Sequence, residues 1–272
     1  MPHRPPLKME NIMAKNKNNI RSGRFEFYKS ILKIGIKRSD FVYLGEKPTG
    51  AAIILSNHVG TSAPLAWELY EDIAYRFWGA AEMNGTLAEL YDYHTNIYYH
   101  EKKHWNIWLA RVYCLLASPL TWIFYRGINV ISTYRDIRFR KTITESVNTL
   151  KDDKAVIIFP EISDNGYLDE LEGFHKGCIM MMKIALKQGV DVPVYSSYYR
   201  KRDRKYIVGK PIMLSELMAM GMTDDELAAW LCDRTNELGR LELDTVAEGE
   251  CPNGDADEGE AAERHEHEEM SV

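Results

Sequence analysis

Two short apolar runs, each cut off by a polar cluster, constrain this chain most. Ala51-Ala52-Ile53-Ile54-Leu55-Ser56 stops at Asn57-His58, and Ala155-Val156-Ile157-Ile158-Phe159 stops at Pro160-Glu161. Neither run alternates apolar with polar residues, so both read as strands buried on two faces. A sheet of such strands is mostly parallel and needs helices on each side. The rest of the chain keeps that rhythm. Strands are expected at 76–83, 130–131, 192–198 and 206–208. Helices are expected from Pro64 onward, at 135–150 and at 175–187, and Thr223-Asp224-Asp225-Glu226 is a capping box opening a last helix. The expected class is α/β, with a mixed, mostly parallel sheet flanked by helices.

Length and charge divide the chain further. Its 272 residues suit one large domain with appendages, and 45% hydrophobic residues suffice for a core. The net charge of −6 is an uneven average: residues 241–272 hold twelve acidic residues against Arg264 alone, so the preceding 240 carry a net +5. Residues 1–20 read as a disordered polar arm, 21–244 as the folded body and 245–272 as an acidic disordered tail. A basic body suits anionic lipid or phosphate-bearing substrates as well as an ordinary soluble enzyme. No apolar run follows the basic N-terminus, so no signal peptide is expected. The four widely spaced cysteines read as reduced packing residues of a cytosolic protein.

Two segments address membranes. Residues 24–38 mix Phe25, Phe27, Ile31 and Ile34 with Arg24, Lys29, Lys33 and Lys37, giving a basic amphipathic helix that either covers the core or docks on anionic lipid. Residues 105–125 are the most apolar stretch, uncharged for the fourteen residues from Val112 to Tyr125 and interrupted by Pro119. That falls short of the roughly twenty residues needed to span a bilayer. A membrane-associating or buried helix pair is the expectation.

The chemistry-bearing residues cluster at the strand ends. Ser56-Asn57-His58-Val59-Gly60-Thr61-Ser62-Ala63-Pro64 joins a strand to a helix, where free backbone N–H groups favour an anion. Phe159-Pro160-Glu161-Ile162-Ser163-Asp164 comes after another strand. Gly173-Phe174-His175-Lys176-Gly177 opens a helix, and Val192-Pro193-Val194 and Gly209-Lys210-Pro211-Ile212 come later.

In these blocks and their order the chain resembles the 1-acylglycerol-3-phosphate (glycerolipid) acyltransferase family over about residues 45–240. That family carries N-H-x-x-x-x-D, G-x-x-F-I-x-R, F-P-E-G-T-R-S and V-P-I, with a phenylalanine-lysine-glycine loop and a G-K-P-I strand. The resemblance implies an acyltransferase of phospholipid synthesis. It would move a fatty acyl group from acyl-CoA or acyl carrier protein to a lysophospholipid or glycerolipid acceptor. It would work peripherally or as a monotopic protein on the cytoplasmic face of a membrane, with no cofactor, metal or nucleic acid. His58 takes the place of the general base, and Asn57, Gly60, Thr61 and Ser62 that of the oxyanion support. Phe159, Pro160, Glu161 and Lys176 fall at acceptor-site positions, with Arg126 and Arg135 as nearby cations.

Several positions depart from the pattern. The aspartate that orients the family's histidine is Ala63, the glycine after Glu161 is Ile162, and the two block arginines fall on Thr133 and Asp164. Ser62, Glu68, Glu82 and Glu161 are the candidates to orient His58 instead. A non-catalytic member that binds lipid is therefore the rival reading. A remoter one is a metalloprotease, because His100-Glu101-Lys102-Lys103-His104 fits H-E-x-x-H, although no acidic residue occurs between Trp105 and Arg135. The acyltransferase reading requires His58 and Glu161 to meet in one cleft, and the basic helix and the 105–125 stretch to share one side.

Overall fold

The computed structural model describes residues 21–163 and 166–243. The arm over 1–20, Asp164 and the acidic tail lie outside the described residues. The body closes at Leu241. An α/β architecture with a mostly parallel mixed sheet is observed. Among the described residues its strands are β1 (Asp40–Tyr43), β2 (Ile53–Ser56), β3 (Tyr75–Ala80), β4 (Ile131–Thr133), β5 (Ala155–Ile158), β6 (Pro193–Arg200), β7 (Lys205–Val208) and β8 (Ile212–Met213). Their order is β1-β7-β6-β2-β5-β3-β4, with β8 also paired to β6. Strands β6, β2, β5, β3 and β4 run parallel; β7 and β8 are antiparallel to β6.

The doubly buried character of β2 and β5 divides the core in two. Ile53, Leu55, Val156 and Ile158 point to a face covered by helices α5 (Phe139–Lys151), α6 (Gly177–Lys187), α7 (Leu214–Ala219) and α8 (Asp224–Arg240). Ala52, Ile54, Ala155 and Ile157 point to the other, under α1 (Gly23–Gly35), α2 (Ser62–Tyr70) and α4 (Ile107–Ile128). Helix α3 (Leu87–Asp92) runs on into a π-helix over Tyr93–Lys102. The Thr223–Glu226 capping box forms as expected, and Thr86–Glu89 makes a second one. Cys114, Cys178 and Cys232 are free and buried, and burial raises all three thiols.

The 105–125 stretch departs from expectation. It is not an interrupted pair but one helix of 22 residues, long and apolar enough by length and composition to cross a membrane. Pro119 sits on its exposed face, where the carbonyl that loses a partner can meet solvent. One narrow stripe, Ala110, Cys114, Ser118, Phe124 and Ile128, is buried. Trp108, Val112, Leu115, Leu116 and Leu120 are exposed. Helix α1 lies against the C-terminal half of α4: the Phe25 and Phe124 rings are 5.8 Å apart, and Tyr28 donates to the Leu120 carbonyl at 3.3 Å. Only glycine fits at 127, since a Cβ there would come within 2.0 Å of the Phe25 ring. The outer faces of both helices, with Phe27, Ile31 and Ile34 on α1, thus share one side.

A buried carboxylate fixes this side of the molecule. Glu68 on α2 accepts from Arg21 at 2.9 Å and from the Tyr75 hydroxyl at 2.6 Å, and pairs with Lys29 at 3.2 Å. Arg21 also donates to the Ile128 carbonyl at 2.7 Å. One side chain therefore ties together the N-terminal helix, α2, β3 and the end of α4. Lys29 keeps Glu26 at 3.0 Å, but removing the Glu68 charge leaves the nearly buried Arg21 without its carboxylate, which costs about 3–5 kcal/mol. Glu68→Gln is expected to lower unfolding stability by about that amount in urea titrations. A loss below about 1 kcal/mol would contradict the role.

Candidate functional site

Strands β2 and β5 are hydrogen-bonded neighbours in parallel register, Leu55 opposite Ile158. Their C-terminal ends therefore deliver His58 and Glu161 to the same edge of the sheet, the usual place for a site in an open α/β fold. The two meet directly: the backbone N–H of His58 donates to Glu161 Oε2 at 3.0 Å. Glu161 is buried, and its own segment is pinned to the Phe174 loop. A β-bridge joins Glu161 to Phe174, Ile162 N–H donates to the Gly173 carbonyl at 2.9 Å, and His175 N–H to that of Pro160 at 2.7 Å. The two sequence blocks are thus one structural unit.

Asn57 anchors the turn from the other side. Its amide donates to the Tyr199 carbonyl at 3.0 Å and accepts from the Tyr199 N–H at 2.6 Å, replacing a backbone rung to β6. It is fully buried and serves as a clamp, not as a donor to substrate. The chain then turns sharply. Val59 and Gly60 both have positive φ, 44° and 65°. A β-branched residue there is strained, and such strain persists only where its surroundings enforce it. Ser62 N–H is spent on the Val59 carbonyl at 3.3 Å, which removes it as an oxyanion donor. Among the described residues no hydrogen bond consumes the N–H of Gly60, which is buried, or of Thr61, which is exposed just ahead of α2.

The orientation of His58 has an aromatic component. Its ring stacks on Tyr167 at 5.2 Å and 15°, and Phe159 meets it edge-on at 4.9 Å. The Tyr98 hydroxyl closes the space over the turn, 3.5 Å from where a Cβ on Gly60 would stand. Burial raises the Tyr167 and Tyr98 phenols, so both remain protonated hydroxyls near neutrality.

Other candidates lie elsewhere. Ala63 is completely buried in the apolar core with Ile54 and Trp67. Glu68 is committed to Arg21, Lys29 and Tyr75, which removes it as a partner for the imidazole. Glu82 is exposed, and Glu161 holds the His58 backbone. Lys176 pairs with Asp225 at 2.9 Å on the first turn of α8. Arg126 lies over the Trp122 ring at 4.8 Å on α4, and Arg135 is exposed beside Tyr93. The H-E-x-x-H spacing does not form a helical pair, because the helix ends at Lys102 and His104 has φ 55°. His100 Nδ1 instead bonds the Trp105 carbonyl at 2.9 Å.

Tyr98, Lys103 and Tyr167 are the residues that motif spacing missed. Nothing in their spacing marks them; the π-helix and the loop after Glu161 bring them in. The resulting site is a strand-end histidine with a carboxylate on its backbone, an aromatic wall and two N–H groups that no hydrogen bond among the described residues consumes. Comparison with protein-family models, known proteins and solved structures finds no match.

The π-helix that carries Tyr98 contains its own titratable group. His94 is buried among the rings of Tyr93, Tyr98, Tyr99 and Tyr125, and burial lowers its pKa to about 4. The unfolded chain binds this proton below about 6.5. Between those values the unfolded state holds more protons, so stability falls as pH drops from about 6.5 to about 4, by on the order of 3 kcal/mol. His94→Phe should flatten that part of the stability–pH curve. An unchanged slope would remove His94 as its source.

Proposed function

We propose that this chain is an acyltransferase of the glycerolipid acyltransferase fold, working at a membrane surface. It would move a fatty acyl group from acyl-CoA or acyl carrier protein to a lysophospholipid- or glycerolipid-like acceptor. The observation that carries the reading is the meeting of His58 and Glu161 at adjacent strand ends, with the motif order seen in the sequence. His58 takes the proton of the acceptor hydroxyl as its oxygen attacks the thioester carbonyl. The developing oxyanion meets the N–H groups of Gly60 and Thr61. The C–S bond then breaks, and the thiolate leaves with the proton that His58 returns. The stack with Tyr167 and the edge of Phe159 fix the ring plane, a task the family gives to an aspartate.

The outer faces of α1 and α4 support placement on a leaflet. Exposed Ile34, Leu115 and Leu116 would enter the acyl boundary, and Arg24, Lys33, Lys37 and Arg38 would meet anionic headgroups. Helix α4 is held to the domain along its buried stripe, which favours a helix lying in the interface over one crossing it. A second reading, lipid binding without turnover, is favoured by Ala63, whose methyl sits in the core where the family has a carboxylate.

The test is acyl transfer on anionic vesicles with lysolipid, glycerol phosphate and neutral glycerolipid acceptors. Wild type is expected to turn over at least one acceptor, and His58→Ala to lose about 10²–10⁴ of that rate. Vesicle binding with no turnover on any acceptor would favour the second reading, and full activity in His58→Ala would refute the first.

A further inference from the structure

We propose that Lys103 is the anion-binding, specificity-determining residue of the His58 site, and that it selects an acceptor carrying a phosphate group. This rests on the acyl-transfer reading. The Lys103 ammonium stands over two rings of the site, 5.9 Å from the Tyr98 centroid and 5.8 Å from the Tyr167 centroid. Both are within the range at which an aromatic face attracts a cation. Tyr167 is the ring stacked on His58, and Tyr98 is the one whose hydroxyl lies over Gly60. Lys103 is therefore one ring removed both from the base and from the turn at Gly60.

The other cations that sequence pointed to are otherwise engaged. Lys176 is neutralised by Asp225, and Arg126 is spread on Trp122 along the apolar helix. Arg135 is exposed, and among the described residues no cation–π contact joins it to the rings of Tyr98 or Tyr167. Among the described residues, no carboxylate pairs with Lys103. An ammonium is a compact charge with three donors, well suited to phosphate oxygens. The tyrosines hold it in place without cancelling its charge, as a carboxylate would.

Phosphate could reach this point on the acceptor or on the donor, since coenzyme A and acyl carrier protein both present phosphate esters. The proposal places it on the acceptor, and the arms of the test separate the two. Wild type, Lys103→Gln, Lys103→Arg and a control at an exposed lysine of α6, Lys187→Gln, are compared. Affinity is read by titrating lysophosphatidate and monoacylglycerol in one neutral detergent. Turnover is read with each acceptor and with acyl-CoA or an acyl-pantetheine lacking phosphate as donor.

Lys103→Gln is expected to weaken lysophosphatidate binding, and raise its KM, by about tenfold or more, the size of one charge-assisted hydrogen bond. Monoacylglycerol, kcat and the donor KM should stay unchanged. Lys103→Arg should recover most of the loss, and Lys187→Gln should show none. Equal wild-type affinity for the two acceptors overturns the proposal. So does a loss that tracks the phosphates of the donor, or an unchanged ratio in Lys103→Gln. If wild type turns nothing over, the binding arm still reads the anion site. If His58→Ala abolishes turnover while Lys103→Gln changes neither measure, the base assignment stands and the anion assignment falls.

Discussion

The parallel pairing of β2 with β5 is the constraint on which the rest of the site depends. Register between these two strands is held from both faces, since Ile53 and Leu55 enter one core and Ile54 the other. A slip by one residue would exchange the two faces and separate His58 from Glu161. With the register fixed, the Glu161 carboxylate reaches across to the His58 N–H, and Asn57 closes the opposite side on Tyr199. Between these anchors the chain has little freedom, which explains how Val59 is kept at a φ that a β-branched residue avoids.

Much of this was legible because it is local. Uninterrupted apolar runs marked β2 and β5, and capping chemistry marked the start of α8. The meeting of His58 with Glu161 came from placing both at strand ends. What could not be read depends on long-range pairing. Strand β1 is only four residues, partly exposed, and exists through its pairing with β7. The 105–125 stretch looked interrupted because Pro119 breaks a helix only where its surroundings cannot absorb the lost bond; on an exposed face they can. Lys103 looked like an idle member of an H-E-x-x-H match, since no spacing rule reports that the residue closing a π-helix will lie over a ring of that helix and a ring from a distant loop.

Ala63 shifts the physical burden within the site. An aspartate there would be a carboxylate beneath the turn, but the position belongs to the apolar core around Trp67. Orientation of His58 draws on stacking with Tyr167 and the edge of Phe159. Stacking fixes a ring plane, and the backbone bond to Glu161 fixes where that ring begins. The wall that supplies these contacts also contains His94 and Lys103, so the stability of the wall and the charge at its rim both bear on the same imidazole.

The most direct test of the central claim is the rate of acyl transfer in Glu161→Ala beside Glu161→Gln, with circular dichroism as a check on the fold. Glutamine keeps an oxygen for the His58 N–H and alanine does not, so Glu161 acts as a positioning residue. The account predicts that Glu161→Ala stays folded but loses about tenfold or more in kcat, the worth of one hydrogen bond to a charged acceptor, and that Glu161→Gln recovers most of it. Wild-type kcat in a folded Glu161→Ala protein would contradict the account.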